Sequence, residues 1–372
     1  MHKTTGILLA ALSTALVSAA TASANGFSRG TANTDILFQD GTVNLENSAT
    51  FVNPNRKYDT HPVPGLSGTG FSESYIVPNL AAKYSFSDNL SCALTYTTPF
   101  GGDSKNNVFD NHGKIEEKFR TDEYGATCAV FVPMEKGRIA FIGGVYYEEF
   151  KYDFDGVTRA GPTFTPINFD LNSHQWGWRA GVAYEIPEYA FRTQLLYRSG
   201  TDHSGTSTAY LPALGMTLPV YGEGSLPQSL ELKAQTGVAP GWLVFGSVKW
   251  TDWSALDRLD LTLGGQPFSN IYNWRDGWTF TAGVGHEFTD RISGALSLTY
   301  DRGVSTGWDY YGDSYIAAVS AGVKDDWGGK LSASFAVAFQ EGMQETKNPV
   351  GQNASTEDSV GTAFQIRYDI KF

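Results

Sequence analysis

The chain has 372 residues, a net charge of −12, 18% charged and 14% aromatic residues, and 41 glycines. An acidic surplus without a basic tract excludes a nucleic-acid partner, since nothing could neutralise phosphates. Beyond the first two dozen residues no stretch offers the roughly 18 consecutive apolar residues of a membrane helix, so a helical membrane protein is excluded. A charged fraction below the roughly 25% of soluble domains, with abundant aromatics and glycine, suits a barrel that turns aromatics to lipid and polar residues inward.

Residues 1–24 read as a secretory signal peptide. His2 and Lys3 precede an apolar run from Ile7 to Val17 and an Ala22-Ser23-Ala24 exit, with cleavage expected after Ala24. Cleavage at Ala20 or Ala22, or an uncleaved anchor, are the alternatives. Residues 25–52 do not alternate and carry several Gly and Asn, which predicts irregular structure: an N-terminal hatch or plug inside a lumen. The competing expectation, a disordered tail, fits poorly with Ile36, Leu37, Phe38, Val43, Leu45 and Phe51.

From 53 to 372 the sequence reads as period-2 segments near the 9 to 11 residues of a tilted membrane strand. Trp176, Trp178, Val182 and Tyr184 oppose Gln175, Arg179 and Glu185; Ile292, Leu296, Leu298 and Tyr300 oppose Ser293, Ser297 and Thr299. Leu331, Phe335, Val337 and Phe339 oppose Ser332, Ser334, Ala336 and Gln340. At the C-terminus Val360, Phe364, Ile366, Tyr368 and Ile370 oppose Gly361, Ala363, Gln365, Arg367 and Asp369. An isolated charge facing lipid at the midplane costs roughly 2 to 4 kcal/mol, so Arg367 and Asp369 are expected inside or near the rim. Tight turns at 87–89, 133–137, 187–189, 239–241, 289–291 and 325–329 alternate with long polar connections. The expected fold is all-β: a transmembrane antiparallel barrel of about fourteen strands, with both chain ends on the periplasmic side. A soluble β-sandwich shares the alternation but needs many charges on its outer faces, which are missing here.

Cys92 and Cys128 fit no metal-ligand spacing. They pair only if they fall on adjacent strands, and a direct cross-strand bridge is geometrically demanding, so small buried or lipid-facing residues are the favoured reading. His61, His112, His174, His203 and His286 have no Ser or carboxylate at motif spacing, and Asp202-His203-Ser204 reads as a loop tripeptide. No catalytic residue, metal or cofactor is expected.

Several stretches resemble the FadL/TodX family of outer-membrane transporters for long-chain fatty acids and other hydrophobic compounds. They are Asn25-Gly26-Phe27, Arg29-Gly30, Asn53-Pro54, Val77-Pro78-Asn79-Leu80 and Pro99-Phe100-Gly101. The most specific are Leu226-Pro227-Gln228-Ser229-Leu230-Glu231-Leu232 and Val248-Lys249-Trp250-Thr251-Asp252-Trp253. The resemblance implies a fourteen-stranded monomeric barrel, an N-terminal hatch, and passive uptake in which substrate leaves sideways through the wall. It also implies an inward kink in the third strand, whose position Pro99 to Gly102 match. The family's Asn-Pro-Ala reads Asn53-Pro54-Asn55 here, and the hatch and outer loops are short, so a substrate other than a long-chain fatty acid fits as well.

The residues themselves pose the transport problem as an apolar capture surface and an apolar exit. Apolar clusters are expected on two loops, Phe164, Ile167 and Phe169 within 156–172, and Tyr210, Leu211, Leu214, Met216, Leu218 and Val220 within 201–225, as binding surface or mutual cap. Asn25, Gly26 and Phe27 join them as candidate ligand contacts. Pro99, which lacks a donor, followed by Phe100, Gly101 and Gly102, predicts a break in the wall, with Pro78 a second break on the neighbouring strand. Lys83, Arg179, Arg192 and Arg198 fall on inward positions as candidate partners for a fatty-acid carboxylate. The expected partners are a hydrophobic small molecule and outer-membrane lipid with lipopolysaccharide. The closest rival is a diffusion porin with the same architecture and a water-filled lumen.

Overall fold

In the computed structural model, described for residues 26–110, 113–160, 163–212, 214–347 and 353–372, fourteen antiparallel strands close into a ring. The expected signal peptide, its cleavage site and Asn25 lie outside the described residues. The first seven strands are β1 (Val43–Asn53), β2 (Tyr75–Ser87), β3 (Leu90–Thr97, resuming as Gly101–Lys105), β4 (Lys114–Pro133), β5 (Arg138–Ala160), β6 (Thr163–Ile186) and β7 (Phe191–Arg198, resuming as Thr201–Leu211). The rest are β8 (Met216–Leu226, resuming as Ser229–Ala239), β9 (Trp242–Thr251, then Arg258–Leu263), β10 (Gln266–Ile271, then Gly277–Glu287), β11 (Ile292–Asp301), β12 (Ser314–Lys324), β13 (Gly329–Gln340) and β14 (Ser359–Lys371). Pairing of β1 with both β2 and β14 shuts the ring.

All six tight turns fall where the sequence put them, joining β2–β3, β4–β5, β6–β7, β8–β9, β10–β11 and β12–β13. The first barrel strand starts and the last one ends on that side, at Val43 and Lys371, the periplasmic end by the rule for such barrels. The face assignments hold too: Leu296, Leu298, Leu331, Phe335, Val360, Phe364 and Ile366 are exposed outward, while Ser297, Ser334, Ala336, Ala363, Gln365 and Arg367 are buried inward. Strand register stacks aromatics into a girdle near the loop end. Tyr96, Tyr124, Tyr147 and Trp176 are successive partners across β3 to β6, and Phe280, Tyr300, Tyr315 and Phe339 across β10 to β13. Amphipathic rings at this height suit the headgroup region.

Three expectations are corrected. The first barrel strand begins at Val43, not at 53, because Leu45, Ala49 and Phe51 alternate with Asn44, Glu46 and Thr50 once Lys371 to Thr362 and Tyr84 to Tyr75 flank them. Of the expected hatch, the described residues 26–42 remain outside the wall. The segments 156–172 and 201–225 are largely strand: β5 and β6 pair up to Ala160 and Thr163, and β7 and β8 pair from Thr201↔Leu226 to Leu211↔Met216. Their backbone groups ladder with each other above the membrane, so the polar composition that suggested loops reflects solvent exposure. Finally, Cys92 and Cys128 face each other in register and form a disulfide, Cα–Cα 4.0 Å, on the outward face of β3 and β4.

Candidate functional site

The ladder between β2 and β3 is interrupted. Their pairing stops at Asn79↔Thr97 and resumes above at Ser72↔Ser104, with Glu73 N–H donating to Asp103 O at 3.1 Å. Between these points Tyr75 to Pro78 keep their pairing with β1 but have no backbone pairing with β3 among the described residues, the one link being the Thr97 hydroxyl, which donates to Pro78 O at 3.2 Å. On its other side β3 bulges by one residue, since Thr97 faces Glu123 and Gly101 faces Arg120. Pro99 has no N–H to offer the ladder, and Phe100 turns inward, buried against Trp253. The break spans about five residues, roughly 15 Å of strand.

The N-terminal segment takes the edge that β2 gave up. Arg29 N–H donates to Pro99 O (2.8 Å), Gly30 N–H to Thr98 O (2.9 Å) and Gly101 N–H to Phe27 O (2.9 Å). The Arg29 guanidinium lies 3.9 Å from the Tyr75 ring centre and pairs with Asp103 at 2.7 Å. Glycine is needed at two points of this stitch. A Cβ on Gly101 would sit 2.6 Å from the Arg29 guanidinium, and one on Gly30 would sit 2.5 Å from Thr97 Oγ1. Lower down, the one-turn helix Asp35–Phe38 inserts Ile36, Leu37 and Phe38 into a recess made by inward alanines, Ala81, Ala93, Ala129, Ala140 and Ala183. Asp35 is held there by Arg192 (3.1 Å) and Lys233 (3.0 Å).

Above the stitch lies an apolar compartment. Phe119, Tyr152, Phe154, Ile167, Phe169, Leu171, Leu211, Val220 and Leu261 are buried in one cluster on the upper strands, with Phe100, Trp253 and Trp274. Phe27 projects into it, its ring 4.6 Å from Phe119, 4.7 Å from Trp274 and 5.5 Å from Tyr272. A cavity of about 40 Å³ lies on one side of Phe27 and one of about 310 Å³, bordered by Tyr75, Gly101 and Gly102 at the wall break, on the other. The two most specific of the stretches that carried the family resemblance build this partition. Ser229↔Thr251 and Leu230↔Trp250 pair, Asp252 N–H donates to Gln228 O, and Trp253 lies fully buried against Gly26 and Phe27.

Below Arg29 the lumen changes character. A cavity of about 180 Å³ there is lined by Ser48, Thr50, Ser247, Thr279 and Thr281 together with Glu46, Glu231, Lys233, Lys249 and Arg367. An apolar solute with about 200 Å² of surface loses roughly 5 kcal/mol on moving from apolar surroundings to such a wet, charged space. This lower part of the lumen is therefore poor surroundings for a hydrophobe.

The four cations expected to meet a carboxylate are all engaged by the protein. Lys83 donates to Gln39 O and Gly41 O, Arg192 holds Asp35, and Arg179 and Arg198 share Glu123, with Arg198 also 2.5 Å from Glu148. Glu123 and Glu148, inward on β4 and β5, carried no signal in the sequence beyond their strand parity. Glu123→Ala leaves two buried guanidinium groups short of a partner, which costs roughly 3 to 5 kcal/mol. The midpoint of urea-dependent folding into lipid vesicles should fall accordingly, and an unchanged midpoint would remove the pair from the stability account.

Of the residues expected as apolar capture surface, Ile167, Phe169, Leu211 and Val220 point inward and are buried, and Leu218 packs on the same cluster. Phe164, Tyr210, Leu214 and Met216 are exposed on the projecting hairpins. Period-2 alternation sorted them into two sets that a loop reading had merged. The cluster is closed above by the connection between β11 and β12, where the Trp274 indole donates to the half-buried Asp309 carboxylate. Burial pushes the Asp309 carboxyl up to about 6. Its stabilising contribution is complete below the ordinary aspartate range and is lost as pH rises through about 6. Protease cleavage within 302–313 should rise between about pH 5 and 7, and Asp309→Asn should flatten that dependence; an equal rise in the variant would locate the titration elsewhere.

The family described as outer membrane protein transport protein (OMPP1/FadL/TodX) matches residues 156–302. A long-chain fatty acid transport protein of Salmonella typhi is 27% identical over 150 residues, which cover 35% of this chain and 34% of the relative, so the match spans about a third of that relative's length. Among solved structures, a Pseudomonas aeruginosa FadL homologue superimposes with a TM-score of 0.77 at 15% identity, covering 93% of this chain and 100% of its own. The P. putida toluene transporter TodX gives 0.69 at 11% identity, covering 94% and 96%. At these identities the structural matches speak for the fold.

Proposed function

Starting from a chain similar to the OMPP1/FadL/TodX family over residues 156–302 and to FadL and TodX structures in its fold, we propose that it is an outer-membrane channel for passive uptake of hydrophobic compounds. The substrate class is that of the relatives, long-chain fatty acids or aromatic hydrocarbons. Capture begins on the exposed apolar residues of the projecting hairpins, Phe164, Tyr210, Leu214 and Met216, and continues into the aromatic cavity above Phe27. Displacement of the Phe27 ring joins that cavity to the one at the wall break. The solute then leaves between β2 and β3 into the bilayer. Residues 26–42 act as the hatch that closes the axial path, and the barrel works as a monomer embedded in outer-membrane lipid and lipopolysaccharide.

The observation that supports this reading is the stretch Tyr75 to Pro78, which has no backbone pairing with β3 among the described residues, with the N-terminal segment bonded to the β3 edge in its place. Cells with and without the protein, given labelled toluene and oleate, test it: uptake of at least one must depend on the protein. The rival reading, a diffusion porin, requires large steady ion currents across planar bilayers from the intact protein. A hatch-closed barrel stays nearly silent.

A further inference from the structure

We infer that the Cys92–Cys128 disulfide is made on the chain before the barrel enters the membrane and is sealed there afterwards, which makes it a permanent clasp and not a redox switch. This rests on the outer-membrane placement of the barrel and not on what it carries. The bond joins β3 to β4 on the outward face, where each cysteine lies four residues below the girdle, Cys92 under Tyr96 and Cys128 under Tyr124. At about 3.3 Å per residue and a tilt near 40°, that is roughly 10 Å down into an apolar band about 25 Å tall. The outward neighbours above and below, Leu94, Val145, Val130, Phe141 and Val182, are exposed and apolar. No Asp, Glu, Lys or Arg shares that face of β3 to β6 between the girdle and the tight turns.

Thiol–disulfide exchange proceeds by attack of a thiolate through a mixed disulfide. A thiolate is an anion, and hydrocarbon without water or a counter-charge excludes it. In the inserted barrel, therefore, no soluble thiolate reaches the bond to break it, and no periplasmic oxidant reaches the two thiols to form it. Oxidation belongs to an earlier stage, while the unfolded chain is still in water in the periplasm. There the two thiols give up two protons and two electrons, and the oxidant, a protein disulfide, takes the electrons and becomes a dithiol. The product links β3 covalently to β4, on the side away from β2, with which β3 has no backbone pairing just above Thr97.

Thiol counting after denaturation and alkylation with a maleimide polymer tests this, and it reads this pair alone because the chain has 2 cysteines. Oxidised protein in lipid nanodiscs, exposed to reduced glutathione at pH 7.5, should lose the bond at least about a hundredfold more slowly than the same protein unfolded in urea. Equal rates overturn the sealing. In cells, chains synthesised during a pulse of dithiothreitol and inserted into the outer membrane should keep two free thiols through a chase after the reductant is washed out. Oxidation of those thiols during the chase overturns the order of events, whereas failure of reduced chains to insert supports it. Heat-modifiable migration identifies the folded barrels in each sample. Fractionation checks the premise separately: a folded protein that does not sediment with the outer membrane removes the placement itself, whatever the thiol count.

Discussion

Uptake of labelled toluene and oleate by cells carrying the Pro99→Val, Gly101→Val double variant is expected to fall by about tenfold or more, toward the level of cells lacking the protein. Valine restores a backbone donor at 99 and favours the extended, regular strand that proline and glycine disfavour there. At 101 its Cβ would lie 2.6 Å from the Arg29 guanidinium, so Arg29 must leave Tyr75 and Asp103, and the stitched segment loses its anchor. The way is then clear for β3 to pair with β2. From Asn79 to Ser72 and from Thr97 to Ser104 the two strands run through equal numbers of residues, so the pairs above and below the break share one register. Straightening β3 completes the ladder without a slip. Heat-modifiable migration in SDS gels shows whether the variant still forms a barrel. A folded variant that imports both compounds at the parental rate would rule out exit between β2 and β3.

The second large effect concerns conduction. A mature chain beginning at Asp40 should carry ion currents at least roughly tenfold above those of the intact protein, because it loses the Phe27 to Gly30 stitch and the Ile36–Phe38 insertion together. The deletion must stop there. Removing residues through 52 would take out most of β1 and with it the pairing that closes the ring to β14. Loss of Asp35 also frees Arg192 and Lys233, and loss of Gln39 releases a carbonyl from Lys83, so the opened lumen gains unbalanced positive charge and should prefer anions. Reversal potentials in a salt gradient measure that preference. A barrel that stays silent after the deletion would show that residues 26–39 do not close it.

Much of the barrel was legible in the chain because it depends on local alternation. Leu331 to Phe339 and Val360 to Ile370 sort onto two faces whatever their partners are, and the six tight turns carry their own Gly, Pro, Asp and Asn signals. The wall break was legible in part. Pro99 and Gly101 announced a ladder defect, but not that Phe27 to Gly30 would bond to the exposed edge, since that contact joins segments seventy residues apart. The start of β1 was misplaced because its alternation is weak, with Asn44, Asn47 and Ser48 diluting the pattern, and only flanking by β2 and β14 makes it a strand. Two corrections have the same root. A hairpin above the membrane reads as loop from composition, and Cys92 opposite Cys128 depends on the register of β3 against β4.

By itself the order of residues determined an outward apolar face, an inward polar face, the places where the chain reverses and the donor missing at Pro99, all consequences of side-chain parity and backbone chemistry that hold residue by residue. The tertiary structure alone decided what meets inside the ring. Closure brings Glu123 to Arg179 and Arg198, Asp35 to Arg192 and Lys233, and Phe27 to Phe119 and Trp274. Which inward residue faces which across a lumen follows from strand register and curvature around the whole circumference, so no local pattern encodes it.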